Sequence, residues 1–73
     1  MKIIFYTEMA EILEVDEVAP NAVLHDFDNW DSLTALSIMA MLDKEYGVNI
    51  STTELNLIVT IEELENLVKN RMK

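Results

Sequence analysis

Between Asp26 and Leu33 the chain reads DFDNWDSL. Three carboxylates, Asp26, Asp28 and Asp31, crowd one tryptophan and one serine, and the only histidine, His25, stands just ahead of them. These residue types fit three chemistries: holding a hard cation, activating Ser32 as a nucleophile, or offering its hydroxyl to another enzyme. A calcium loop of the EF-hand kind needs oxygen ligands at its third and fifth positions, a glycine at the sixth and a bidentate acid at the twelfth. Counted from Asp26, those places hold Asp28, Trp30, Asp31 and Ser37. The turn glycine and the closing acid are missing, so that reading fails. A catalytic serine needs a base in hydrogen-bond reach and donors for an oxyanion. The surrounding acids raise the cost of an alkoxide, no glycine-lined nest adjoins, and the single imidazole sits upstream in a loop. The chain is therefore expected not to be an enzyme. What remains is a handle: a hydroxyl fixed at a helix start, among carboxylates that attract a basic modifying enzyme.

The bulk properties agree with a site that others act upon. The chain has 73 residues and is expected to form a single domain over 1–73. A domain of this size buries only about 60% of the surface its unfolded chain exposes, which leaves little material for a deep cleft. With no cysteine and one histidine, neither a disulfide nor a zinc centre is expected, and no metal site is assigned. Fourteen acids against five bases give a net charge of −9. That balance excludes nucleic-acid binding, disfavours anionic membranes and favours encounter with basic surfaces on other proteins. The apolar start, IIFY, ends at Thr7-Glu8, short of a signal-peptide core, and no stretch is long enough to span a bilayer. The sequon Asn49-Ile50-Ser51 carries no meaning without secretion. A cytoplasmic monomer is expected.

Apolar residues at helical spacing, with only Gly47 and Pro20 as breakers, predict an all-α fold: a four-helix bundle of three main helices and one short third helix. Helix one runs from Lys2 to about Glu14, with Phe5, Met9, Ile12 and Leu13 inward and Glu8, Glu11 and Glu14 off that stripe. A long loop of about 15 residues follows; Val15, Val18, Val23, Leu24 and Phe27 are expected to pin it. Helix two starts at Asp31 or Ser32, either of which can cap it, and ends at Tyr46 before Gly47. Ser51 with Glu54 predicts a capping box for helix three, Thr52 to about Ile58. Thr60 with Glu63 predicts another for helix four, Ile61 to about Met72, whose buried stripe is Ile61, Leu64, Leu67, Val68 and Met72. Glu65 and Lys69 read as an i,i+4 pair in the favourable order, worth about 0.3 kcal/mol.

Helix two has more apolar residues than one buried face requires. Ala35, Ile38, Met39, Leu42 and Tyr46 complete a core stripe, yet Leu33, Leu36, Ala40 and Met41 are apolar too. A helix apolar beyond one stripe is central or has a second surface to cover. The strip Leu33-Leu36-Ala40, with Met41 and with Trp30 as an anchor, is expected to meet partner proteins.

At Trp30-Asp31-Ser32-Leu33 the chain resembles the acyl carrier protein family. Asp31-Ser32-Leu33 matches that family's D-S-L signature. The order of elements also fits over most of the chain: a first helix, a long pinned loop, D-S-L opening helix two, EYGVNI after it, a short helix and a final helix. The resemblance implies that Ser32 takes a 4′-phosphopantetheine arm from coenzyme A, delivered by a phosphopantetheinyl transferase that recognises Asp31 and Leu33. It implies that acyl or aminoacyl groups ride on the arm as thioesters between acyl-loading and acyl-processing enzymes. Two departures bear on the pathway. Asp28-Asn29-Trp30 replaces the glycine that commonly precedes D-S-L, with Asn29 able to adopt left-handed geometry in its place. Thr34, Ser37 and Lys44 stand where carriers of fatty-acid synthesis present acids on helix two, with Asp43 retained. A dedicated carrier for polyketide, nonribosomal peptide or polysaccharide assembly is expected rather than the housekeeping one. Leu36, Met39, Ile58, Ile61 and Leu64 are candidate lining for an acyl chain, with a core role as the default. The rival reading is a small acidic docking domain in which Ser32 is only a helix cap.

Overall fold

The computed structural model describes residues 2–72, which form four α-helices: α1 Lys2–Leu13, α2 Ser32–Tyr46, α3 Thr52–Leu57 and α4 Ile61–Arg71. Among the described residues there is no strand, and Val23 and Thr60 form an isolated antiparallel bridge. The all-α expectation holds, with α3 the short member. No helix of the described residues is long and apolar enough to cross a membrane. One apolar cluster joins all four helices. Phe5, Met9 and Leu13 come from α1, Ile38 and Leu42 from α2, Leu55 from α3, and Ile61, Leu64 and Val68 from α4. Val48 and Ile50 add to it from the link between α2 and α3.

α1 and α2 each stop at a residue of positive φ. Gly47 follows α2 in the left-handed region at φ 65°, and Val48 N–H reaches back to the Leu42 carbonyl at 3.2 Å. Glu14 follows α1 at φ 60°, and Val15 N–H reaches the Ala10 carbonyl at 3.0 Å. Both satisfy carbonyls that a helix end leaves open, and both need a residue with positive φ. Glycine meets that need without strain; a glutamate does not. The expected end of helix one at Glu14 is thus one residue too long, because glutamate carries no stop signal.

The connection from α1 to α2 contains a single 3₁₀ turn, Leu24–Asp26, whose Leu24 is fully buried. Upstream of the turn the chain is bonded to the start of α4. Leu24 N–H donates to the Val59 carbonyl at 2.8 Å, while Ile61 and Glu62 N–H groups donate to the carbonyls of Ala22 and Pro20 at 3.1 and 2.9 Å. The loop thereby satisfies two N–H groups that the first turn of α4 leaves open. Thr60 Oγ1 accepts from Glu63 N–H at 3.2 Å, as the sequence predicts. The reciprocal half of the predicted capping box is different: Glu63 Oε1 accepts from Val59 N–H at 3.1 Å, one residue further out. At α3 the box between Ser51 and Glu54 is complete.

The expected Glu65–Lys69 pair forms, and the fold adds that Glu65 is buried. Its residue is 2% exposed, and its Oε1 accepts the Tyr6 hydroxyl at 2.8 Å, tying α4 to α1. Lys69 Nζ lies 3.8 Å from Oε2, an ion pair beyond hydrogen-bond distance, so Oε2 has no hydrogen-bond donor. Met72, a member of the predicted α4 stripe, is exposed, because α4 ends at Arg71. The Tyr6 phenol is pushed up from 10.0 to about 12, by burial first and then by the hydrogen bond and charge of Glu65. A raised phenol pKa means the neutral form is favoured in the fold. Its contribution is intact below pH 10.0 and is lost as the pH rises through about 12.

Two stability outcomes follow. Glu14→Gly raises stability in urea unfolding by about 0.5–1 kcal/mol, since it relieves the left-handed strain. Tyr6→Phe lowers it by about 1.5–3 kcal/mol, because a buried carboxylate loses its donor; adding Glu65→Leu recovers most of that loss.

Candidate functional site

The start of α2 is held by a relay of hydrogen bonds. Asp31 is the N-cap in extended geometry, φ −157° and ψ −174°, and its Oδ1 accepts Thr34 N–H at 2.8 Å. That backbone bond is the main reason its carboxyl is held below the usual carboxylate range. A negative charge at this end also suits the helix dipole. Thr34 Oγ1 donates to the Asn29 carbonyl at 2.7 Å, and Asn29 Nδ2 donates to the Ile12 carbonyl at 3.2 Å. The relay runs from α1, through the turn, into the first turn of α2. Ser32 sits between its fixed points. Its side chain is exposed, and among the described residues its hydroxyl has no hydrogen-bond partner. Capping therefore belongs to Asp31, and the alternative that Ser32 caps α2 is set aside.

α2 forms a ridge between two grooves. On the α3 side a groove of about 480 Å³ is lined by Trp30, Ser32, Leu36 and Met39, with Thr52 and Asn56 of α3 opposite. Trp30 is half-buried and meets the His25 ring edge-on, centroids 4.8 Å apart. On the α1 side lie two smaller hollows that share Ile12 and Ser37. Leu33 and Leu36 stand on the ridge, 73% and 56% exposed, with Ala40 also exposed.

The structure brings Trp30, Asp31, Ser32 and Leu36 to one groove, and it keeps the strip Leu33-Leu36-Ala40 on the surface. It removes Met41 from that strip. Met41 is only 9% exposed and belongs to the core cluster, its edge reaching the α1-side hollow. Thr34, read as part of the exposed side, is 8% exposed and bonded inward. Both lie on the flank of α2 that packs toward α1. Of the candidate acyl-chain lining, Leu36 and Met39 reach the groove, whereas Ile58, Ile61 and Leu64 are packed in the core. Thr52 and Asn56 are additions from the structure; they sit four apart on α3, a spacing that signalled a shared face but not which groove it borders.

An exposed, uncapped hydroxyl on a fixed helix start, beside carboxylates and an apolar ridge, suits a group that another protein modifies and grips. Comparison with known proteins gives the class. Residues 5–68 match the family described as Phosphopantetheine attachment site. The chain is also 33% identical over 66 residues to Polyketide-8 synthase acyl carrier protein 2 of Streptomyces avermitilis, covering 88% of this chain and 76% of that protein. The chain belongs to the phosphopantetheine attachment site family, defined by a covalently attached 4′-phosphopantetheine. Within that family it has the role of an acyl carrier protein.

The relay makes a testable separation. Ser32→Ala leaves the urea midpoint unchanged, whereas Asp31→Ala lowers it and Asp31→Asn retains most of it, since asparagine caps nearly as well. Thr34→Val costs about 1 kcal/mol, the value of one neutral hydrogen bond, and Thr34→Ser keeps that bond.

Proposed function

We propose that Ser32 is the attachment point and that the domain carries acyl or aminoacyl groups as thioesters between partner enzymes without catalysing a reaction itself. The observation that carries this reading is the unengaged Ser32 hydroxyl on a start of α2 whose cap is Asp31. A phosphopantetheinyl transferase docks at Asp31, Leu33 and the Leu36-Ala40 ridge. There the serine oxygen forms a bond to the coenzyme A phosphorus, the bond to the adenosine bisphosphate breaks, and the serine proton passes to a base on the transferase. The groove beside Ser32 suits the arm, which alternates amide and apolar groups. Leu36 and Met39 offer apolar contact, while Thr52 and Asn56 offer polar atoms at the rim. Tethering raises the effective concentration of the carried group at each partner's site.

The pathway is read as a dedicated one, with polyketide assembly favoured over housekeeping fatty-acid synthesis. Two features support this: the relative from a polyketide synthase, and an exposed ridge of α2 that presents Ser37 and Lys44 beside Asp43 rather than a row of acids. The whole chain acts as one monomeric domain in the cytoplasm, where coenzyme A is at hand. The test is intact mass after incubation with coenzyme A and a broad-specificity transferase. Wild type gains one phosphopantetheine increment and Ser32→Ala gains none. An unmodified wild type, under conditions that modify a control carrier, overturns the assignment. Asp31→Asn, still capped, slows the transfer if the transferase reads the charge.

A further inference from the structure

The two hollows on the α1 side of α2 form one continuous feature. They have volumes of about 280 and 270 Å³ and share Ile12 and Ser37. Along α2 the feature runs from Leu33 to Lys44, roughly 16 Å at 1.5 Å per residue, which is three helical turns. Its apolar lining is Ile12, common to both hollows, with Leu33 at the end near Ser32 and the edge of Met41 at the other. Glu8 and Glu11, three apart on α1, line one hollow, and Glu14, just past the end of α1, lines the other. Asp31 stands at the end nearest Ser32 and Glu45 toward the other, with Lys44 the one cation among the lining residues.

Among the described residues these carboxylates form no ion pair: the pairs are Lys69–Glu65 and Arg71–Glu54. Glu8 accepts a hydrogen bond from the Tyr46 hydroxyl at 3.3 Å, which is its only side-chain link among the described residues. An apolar lining edged by carboxylates complements a segment that presents an apolar stripe flanked by lysine or arginine. Ser32 opens on the opposite flank of α2, into the groove it shares with α3. A partner seated on the α1 side therefore leaves the serine and its neighbouring groove free.

We propose that the α1–α2 groove docks a basic amphipathic helix of a partner enzyme, its apolar side chains on Ile12 and Met41 and its cations on Glu8, Glu11 and Glu14. The partner's being a client of the carrier rests on the function proposed above; the complementarity of the groove does not. Docking here would hold the carrier by one flank of α2 while Ser32 serves a reaction on the other. The recognition charge that is absent from the ridge of α2 is supplied by α1.

The probe is a synthetic helical lysine–leucine peptide, with a glutamate–leucine peptide of equal length as control, titrated into the full apo chain and followed by amide chemical shifts. Saturable binding is expected, with the largest shifts at Glu8, Glu11, Ile12, Ser37 and Met41. Glu8→Gln/Glu11→Gln weakens it at least about tenfold, as expected for complementary charges. Glu62→Gln/Glu63→Gln removes the same charge from α4 and changes binding less than about twofold, the effect of net charge alone. Equal loss in both double variants, or shifts centred on α4 or on the α2–α3 groove, overturns the proposal. Far-ultraviolet dichroism confirms that each variant remains helical. Ser32→Ala, which cannot be loaded, binds the peptide as wild type does, so failure of the mass test leaves this result standing, and the reverse.

Discussion

The bond from Thr34 N–H to Asp31 Oδ1 is the constraint on which the rest of the site depends. A helix start leaves open N–H groups, and a nearby side-chain oxygen will satisfy them. In Asp31-Ser32 two such oxygens compete. Had Ser32 won, its hydroxyl would turn back toward the backbone and be lost as a handle. Asp31 wins because it precedes the helix in extended geometry and because its charge gains from the dipole as well as from the bond. Everything external about the site follows from that outcome. The serine is presented but not used by the fold, and the direction of α2 fixes which flank faces α3 and which faces α1.

A small domain can hold that geometry only with help beyond its core. Here the help is polar and long-range. Pro20 and Ala22 carbonyls close the start of α4, the Tyr6–Glu65 bond joins α1 to α4, and Arg71 links the end of α4 to Glu54 on α3 and to the Asn49 carbonyl. Glu54 also completes the capping box of α3, and its carboxyl falls to about 2, chiefly through the Arg71 hydrogen bond. A lowered carboxyl pKa stabilises the fold above its ordinary value of 4.5 and is lost as the pH falls through about 2. The phenols of Tyr6 and Tyr46 work at the opposite end, both raised to about 12. Between those limits the ties that position α3 and α1 around α2 are fully formed. The wall of the Ser32 groove that α3 supplies is thus anchored by buried Leu55 and tied at its rim by the Arg71–Glu54 pair.

The helices were legible because their signals are local. Gly47, the Ser51–Glu54 box and the apolar spacing of α1, α2 and α4 each speak within a few residues. The exposed site was legible for the same reason, since Trp30-Asp31-Ser32-Leu33 is contiguous. What the chain concealed depends on partners outside the residue's own helix. The Glu65–Lys69 pair is legible from spacing, but the burial of Glu65 and its bond from Tyr6, at the other end of the chain, are not. Thr34 looks exposed until the Asn29 carbonyl turns it inward, and Met41 looks like part of the ridge until α1 covers it. Helical periodicity says which residues share a face but not how far a neighbouring helix reaches around it. A shift of one residue's width at the edge of a contact exchanges core for surface.

Glu14 shows how such an edge can be set from outside the fold. It occupies at the end of α1 the same backbone position that Gly47 occupies at the end of α2. Two local effects oppose a glutamate there. The left-handed conformation strains a side chain that has a Cβ, and a carboxylate sits unfavourably at the negative end of the helix dipole. Nothing within the described residues compensates with an ion pair. Glycine would satisfy the turn at lower cost, as Gly47 does at the end of α2, yet the residue here is a glutamate that lines the groove between α1 and α2. When local preference and residue identity conflict at a surface position, the conflict points to a demand outside the domain. At Glu14 that demand is for negative charge beside Ile12, on the flank of α2 that the serine does not use.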